Sequence, residues 1–217
     1  MFNYFKSIYV LFIINLYSYT YAQSSFEGKI EFLYYHRDTS KNEYLVKNEK
    51  VRLDQYSKAK KYAIEGSYLF DLNKKEIKIL SHTRKLWNTY KSTIPPSNKD
   101  DFKVIKTEKS KNILGYPCTE YVVINHTEDT EITYWITNKG NFDFFIPMLQ
   151  LWNRKDKQSV YFTKITGLPK GSMPLLSIEK QISTDKIITK LETTKINLEK
   201  IKNEEFEIPQ GYKKFEE

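Results

Sequence analysis

The sequence is short of nearly every residue that builds a conspicuous active site. Its one cysteine, Cys118, excludes an intramolecular disulfide and any multi-cysteine metal site. Gly and Pro number 7 each in 217 residues, which excludes collagen-like repeats and Pro-rich linkers. Arginine is scarce too: Arg37, Arg52, Arg84 and Arg154 stand among 35 basic residues that are otherwise lysine. Arginine is the side chain suited to bidentate phosphate and base recognition. The net charge of +8 therefore reads as a solvated Lys surface, and no nucleic-acid partner is expected. His36, His82 and His126 lie far apart, with no helical i, i+4 pair to hold a metal. The chain has no Gly-x-Ser-x-Gly elbow, P-loop or dinucleotide-binding glycine pattern. Adjacent acids, Asp100-Asp101 and Glu204-Glu205, abut turns or the tail and read as surface rather than as an acid–base pair. No cofactor, no metal and no catalytic residue is expected.

Long apolar runs are also rare, and the exception is informative. Residues 1–22 carry one charge, Lys6, ahead of an apolar stretch from Ile8 to Leu16, then small and polar residues up to Ala22. A basic start, a short apolar core and a Thr20-x-Ala22 exit describe a secretory signal peptide, with cleavage expected after Ala22. The core is too short for a membrane span of about 20 residues. No cysteine follows it, so a lipoprotein signal is absent. Cleavage removes Lys6 and takes the charge from +8 to +7. Residues 23–217 then form the expected single β-rich domain, with no further apolar run long enough to cross a bilayer. In an oxidising compartment Cys118 is most simply a small buried apolar group.

From Gly28 onward the period is two. Ile30, Phe32 and Tyr34 alternate with Lys29 and Glu31. Tyr62, Ile64, Tyr68 and Phe70 share a parity, and Ile132, Tyr134 and Ile136 alternate with Thr133, Trp135 and Thr137. About eleven strands are expected, near 28–36, 43–54, 62–71, 75–82, 85–91, 102–109, 116–125, 130–137, 159–166, 174–182 and 187–198. Short breaks such as Asn73-Lys74-Lys75, Pro95-Pro96-Ser97-Asn98 and Asn138-Lys139-Gly140 favour antiparallel pairing. Tyr121-Val122-Val123-Ile124 is apolar on both faces, which predicts a central, doubly covered strand. A helix is expected within Phe142 to Arg154, where Phe142, Phe145, Leu149 and Trp152 form one stripe and Pro147 suits the first turn. The segment 187–198 reads either as a helical face or as a strand with a bulge near Thr193-Thr194. The fold class is mainly β: a curved antiparallel sheet wrapped over one or two helices.

Several stretches, in order, carry a resemblance. They are Phe26-Glu27-Gly28-Lys29-Ile30, Leu69-Phe70-Asp71-Leu72, and Ile113-Leu114-Gly115-Tyr116-Pro117-Cys118-Thr119-Glu120-Tyr121. After these come Tyr134-Trp135-Ile136-Thr137 and Phe206-Glu207-Ile208-Pro209-Gln210-Gly211-Tyr212. The set resembles the exported bacterial family known as domain of unknown function 4412. Gly167-Leu168-Pro169 is similar to the start of the related Gly-Leu-Pro-Gly-Leu-Ile family motif, although Lys170 stands where that motif has Gly. The resemblance implies a Gram-negative periplasmic or outer-membrane-associated protein. It also implies a LolA-like half-barrel with an apolar cavity, and it brings no catalytic residue. Gly115, Tyr116, Cys118, Phe206, Pro209, Gly211 and Tyr212 then read as structural: a turn before a strand, and a pinned C-terminal tail.

The remaining lead is aromatic surface, at 15% of the chain. Trp87, Trp135, Trp152 and Tyr121 are the candidate lining of a ligand cavity, against the plainer reading that large aromatics fill an ordinary core. The favoured function is non-enzymatic binding of an apolar ligand, a lipid or lipoprotein acyl chain. The alternative is a structural module that docks an envelope protein.

Overall fold

Alternation of apolar and polar residues turns most of the chain into strands. The computed structural model describes residues 25–58, 63–91 and 101–215. The leader, its cleavage after Ala22, Tyr62 and the Pro95-Pro96 break lie outside the described residues. Strands β1 (Gly28–Tyr35), β2 (Thr39–Lys47), β3 (Lys50–Ser57), β4 (Ala63–Asp71), β5 (Glu76–Ser81) and β6 (Leu86–Tyr90) form one antiparallel meander. A second is formed by β7 (Lys103–Ile113), β8 (Tyr116–Asn125), β9 (Thr130–Thr137), β10 (Met173–Gln181) and β11 (Ile187–Leu198). Pairing of β1 with β11 joins the two meanders, and β12 (Lys213–Lys214) adds to β6 in parallel. The result is one curved sheet in the order β12-β6-β5-β4-β3-β2-β1-β11-β10-β9-β8-β7. Two helices, α1 (Phe145–Trp152) and α2 (Lys157–Lys164), lie between β9 and β10 in sequence. The expected mainly-β curved sheet over one or two helices is what the chain builds.

Three expectations need correction. The expected strand 43–54 is two strands, because Asn48 adopts a left-handed φ of 52° and turns the chain between Lys47 and Lys50. The expected strand 159–166 is helix α2. Its β-forming residues Val160, Tyr161 and Thr163 are overruled by tertiary packing: the buried side chains are Gln158, Tyr161, Phe162 and Ile165, at i, i+3, i+4 and i+7. Asp156 starts that helix by accepting from Ser159 N at 2.9 Å. Strand β8 is not central. It lies next to the edge strand β7, so Val122 and Ile124 are only half-buried while Val123 is 1% exposed.

Other expectations hold. Pro147 lies in the first turn of α1. Segment 187–198 is a strand with a bulge: Phe32 pairs with Thr193, Glu31 with Lys195, and Thr194 is the extra residue. The bulge returns Leu191, Thr193 and Ile196 to one face, which resolves their mixed parity. Gly115 (φ +86°) and Leu114 (φ 53°) make the two-residue turn between Ile113 and Tyr116, where a left-handed first residue needs a left-handed, unhindered second one.

The concave face of the sheet and the helices enclose a core of aromatic rings. Phe26, Phe142, Phe144, Phe145, Tyr44 and Phe32 follow one another in ring contact, Phe162 joins them at Phe145, and Trp152 meets Tyr68 and Phe70 at 5.0 and 5.4 Å. Each fully buried large side chain contributes about 1.5–3 kcal/mol over its exposed state, so these rings clamp the helices onto the sheet. The opposite face is covered in part by the C-terminal tail. There Ile201 and Phe206 pack on Leu45, and at the sheet edge Phe215 N donates to Trp87 O of β6 at 2.8 Å.

Candidate functional site

The core is not completely filled. A cavity of about 220 Å³ remains between the concave face and the helices. Strands β1, β2 and β3 supply Phe32, Tyr34, Asn42, Tyr44, Leu53 and Gln55. Tyr134 of β9, Ser177 of β10 and Leu191 of β11 line the other side. Helix α1 brings Phe145, Leu149 and Trp152. The connection to α2 brings Arg154 and Asp156, and α2 itself brings Gln158 and Phe162. The apolar members come from alternate strand positions and the α1 stripe, so the same periodicities that build the core also build this wall.

The polar members are tied together. Tyr134 OH donates to Gln158 O at 2.7 Å. Gln158 Nε2 donates to Thr189 Oγ1 at 2.6 Å, Thr189 Oγ1 donates to Glu179 Oε2 at 2.8 Å, and Ser177 Oγ donates to Gln158 Oε1. Asn42 Nδ2 donates to Ser40 Oγ at 3.2 Å. Burial pushes the phenols of Tyr34, Tyr44 and Tyr134 above their ordinary value, and the Asp156 carboxylate adds to the rise. All three therefore face the cavity region as protonated phenols at neutral pH. Arg154 is held at the cavity by Asp156, with Nε 3.2 Å from Oδ2, and by the Trp152 ring, with Cζ 4.5 Å from its centroid.

Of the four aromatic residues expected to line a cavity, Trp152 does so. Trp135 stands on the other face of β9, because Tyr134 and Ile136 take the core side, and Lys111 Nζ lies 4.0 Å from its ring. Trp87 is on β6 opposite Leu80, near Lys78 and Lys214. Tyr121 pairs with Tyr134 across β8 and β9 and packs on the core without reaching the cavity wall. Sequence reasoning missed Tyr44, Arg154, Asp156 and Gln158. The available signal was the alternation of Asn42 and Tyr44 with Leu45 and Glu43, and the Asp156-x-x-Ser159 helix start.

Cys118 is 1% exposed, and burial pushes its thiol up to about 11, which removes the thiolate needed for reactivity. The motif residues of the tail have a definite place. Phe206 packs on Leu45, and Pro209 through Tyr212 form a turn in which Tyr212 N donates to Pro209 O at 3.3 Å, with Gly211 left-handed at φ +84°. That turn seats Tyr212 on a buried polar chain that sequence reading did not anticipate. Tyr212 OH contacts His82 Nδ1 at 2.7 Å, His82 Nε2 contacts Ser67 Oγ at 2.6 Å, and Ser67 Oγ donates to Asp54. Asp54 in turn pairs with Arg52 at 2.7 Å, and Arg52 Nη1 reaches Glu205 of the tail at 2.9 Å. Ser67 gives its proton to the carboxylate, so His82 Nε2 is the donor to Ser67 and Nδ1 accepts from Tyr212. A nucleophilic serine needs the reverse polarity toward histidine, and Ser67 is 0% exposed beneath the tail. The chain is a clasp for the tail. Among the described residues no group of His, Cys, Asp and Glu is arranged to hold a metal, and no helix is long and apolar enough to cross a membrane.

A curved antiparallel sheet with a helix-covered cavity and a clasped C-terminal tail is thus the class of protein this chain defines. The chain belongs to the family described as a domain of unknown function (DUF4412), which it matches over residues 26–212. No protein of curated function matches it by sequence. Similar solved structures include PNGF-II, at 12% identity and a TM-score of 0.48, covering 88% of this chain and 31% of that one. The chain thus spans under a third of the length of PNGF-II. An uncharacterized conserved protein from Thermus thermophilus is similar at 6% identity and a TM-score of 0.49, over 86% and 88% of the two chains. A LolA superfamily protein, NE2245 from Nitrosomonas europaea, is similar at 10% identity and a TM-score of 0.35, over 86% and 91%.

Proposed function

We propose that this chain is an exported, non-enzymatic binding protein of a Gram-negative cell envelope that holds a small amphipathic ligand between its sheet and its helices. The observation that carries the reading is the cavity itself: about 220 Å³ left open in a core otherwise filled by interlocked rings. The volume refines the ligand class. Ligand pockets usually measure about 300–1,000 Å³, and this one lies just below that range. That is room for one short acyl segment or one ring, not for the two chains of a membrane lipid. The leader-like residues 1–22 support export. The sealed Ser67 and Cys118 support a role without covalent chemistry.

The test is binding of a short fluorescent fatty acid to the mature chain, alongside native mass spectrometry of protein taken from the envelope under mild conditions. A saturable complex is expected, and Leu149→Trp, which fills the cavity, abolishes it while the thermal midpoint is kept. Equal binding by wild type and Leu149→Trp, or a bare protein mass with no uptake of probe, would refute the reading.

A further inference from the structure

The cavity wall carries one positive charge and one negative charge, Arg154 and Asp156. Their arrangement is unequal. Asp156 Oδ1 accepts from Ser159 N at 2.9 Å, while Oδ2 is buried without a hydrogen-bond partner and meets Arg154 only as an ion pair, 3.2 Å from Nε. Arg154 is committed only along one edge. Its guanidinium lies over the Trp152 ring, with Cζ 4.5 Å from the centroid, and is ion-paired at Nε. Among the described residues its partners are that ring and that carboxylate. The two terminal Nη nitrogens, the fork that fits a carboxylate or phosphate with two parallel bonds, are left for a ligand.

We propose that Arg154 anchors an oxyanion on the ligand, so that the cavity selects short acyl or aryl acids over neutral apolar molecules of the same size. This rests on the binding reading above and names its ligand class. The geometry supplies both halves of such a molecule. Phe145, Leu149 and Phe162 wall the apolar space, and the guanidinium stands beside it, with its side chain 46% exposed. A half-exposed anchor suits a charged group, because the ion need not be stripped of all its water. Asp156 is a positioning residue. It occupies the Nε edge, so an incoming anion meets the Nη fork in one orientation, and a guanidinium can hold two carboxylates on its two edges. Arginine's place here contrasts with the composition, since 31 of the 35 basic residues are Lys. Lysine, a compact point charge, would offer no such fork.

The experiment compares three probes of equal chain length by calorimetry on the mature chain at neutral pH: octanoate, octyl phosphate and octanol. Octanoate is expected to bind about tenfold or more tightly than octanol, as a charge-assisted hydrogen-bonded pair implies. Octyl phosphate against octanoate decides whether a phosphate or a carboxylate is the better oxyanion. Arg154→Gln should bring the octanoate-to-octanol affinity ratio down to about one, and Arg154→Lys should fall between. If Arg154→Gln proves unfolded by near-ultraviolet circular dichroism, the Arg154→Lys loss alone decides. Octanol binding as tightly as both acids, or an octanoate-to-octanol ratio untouched by either substitution, overturns the anchor while leaving the cavity reading intact. If none of the three probes binds, the cavity reading itself falls and the anchor with it.

Discussion

Removing Arg52 should unfasten the C-terminal tail and destabilise the whole sheet. Arg52 and Asp54 are two residues apart on β3, on the face that the tail covers, with side chains 13% and 3% exposed. At 2.7 Å and an effective dielectric constant of about 20, their attraction is roughly 6 kcal/mol before desolvation is subtracted. Arg52→Ala leaves the Asp54 carboxylate buried with the Ser67 hydroxyl but without its cation, and one-sided removal of a buried pair costs about 3–5 kcal/mol. It also releases the Glu205 carboxylate and main-chain oxygen that Arg52 holds at 2.9 and 3.2 Å. Urea denaturation of wild type, Arg52→Ala and the double replacement Arg52→Met with Asp54→Leu measures this directly. The single variant should lose about 3–5 kcal/mol, whereas the double, which leaves no stranded charge, should lie within about 1–2 kcal/mol of wild type. Hydrogen exchange should rise first at residues 199–215 in the single variant. A loss below about 1 kcal/mol for Arg52→Ala would mean that water reaches Asp54, and the clasp would then be a surface pair of little energetic weight.

Three further outcomes follow from the same structure. His82 is held below its ordinary value of 6.5 by burial and by Arg52, with Asp54 opposing. The unfolded chain therefore takes up the proton first, and stability should fall as pH drops below about 6.5 and level off under the folded value; urea midpoints against pH should show this slope in wild type and lose it in His82→Asn. Cys118, pushed up to about 11, should resist iodoacetamide near pH 8 in the folded chain and react on unfolding, and equal rates in both states would show that the site is open. At Gly28 (φ +154°) an added Cβ would lie 2.0 Å from Asn197 O, so Gly28→Ala should part β1 from β11 and cost more than the roughly 1 kcal/mol of a typical substitution; a thermal midpoint equal to wild type would disprove that close approach.

Much of the architecture was legible because it is periodic. Ile30, Phe32 and Tyr34, or Ile132, Tyr134 and Ile136, declare a half-buried strand, and Phe145, Leu149 and Trp152 declare the helix that they pack on, while Phe142 of the expected stripe precedes that helix. The bulge at Thr194 was legible as a change of parity. Helix α2 was not, because Val160, Tyr161 and Thr163 favour a strand locally, and only packing of Tyr161 and Phe162 under the sheet overrules them. The position of β8 was not legible either, since Val122-Val123-Ile124 reads as doubly covered whether or not a cover exists.

By itself, then, the sequence determined the strand and helix periods, the turn at Leu114-Gly115, the burial of Cys118 and the family. Those are local properties, set by side-chain spacing and by which residues tolerate a left-handed backbone. Only the tertiary structure decided which aromatic lines a cavity and which stands outside it. It alone placed Arg154 on Trp152 beside the apolar wall, and it joined Asp54, Ser67, His82 and Tyr212, which lie up to 158 residues apart, into one clasp. Those contacts depend on strand order and register, which bring distant residues onto one face, and no residue's neighbours along the chain encode them.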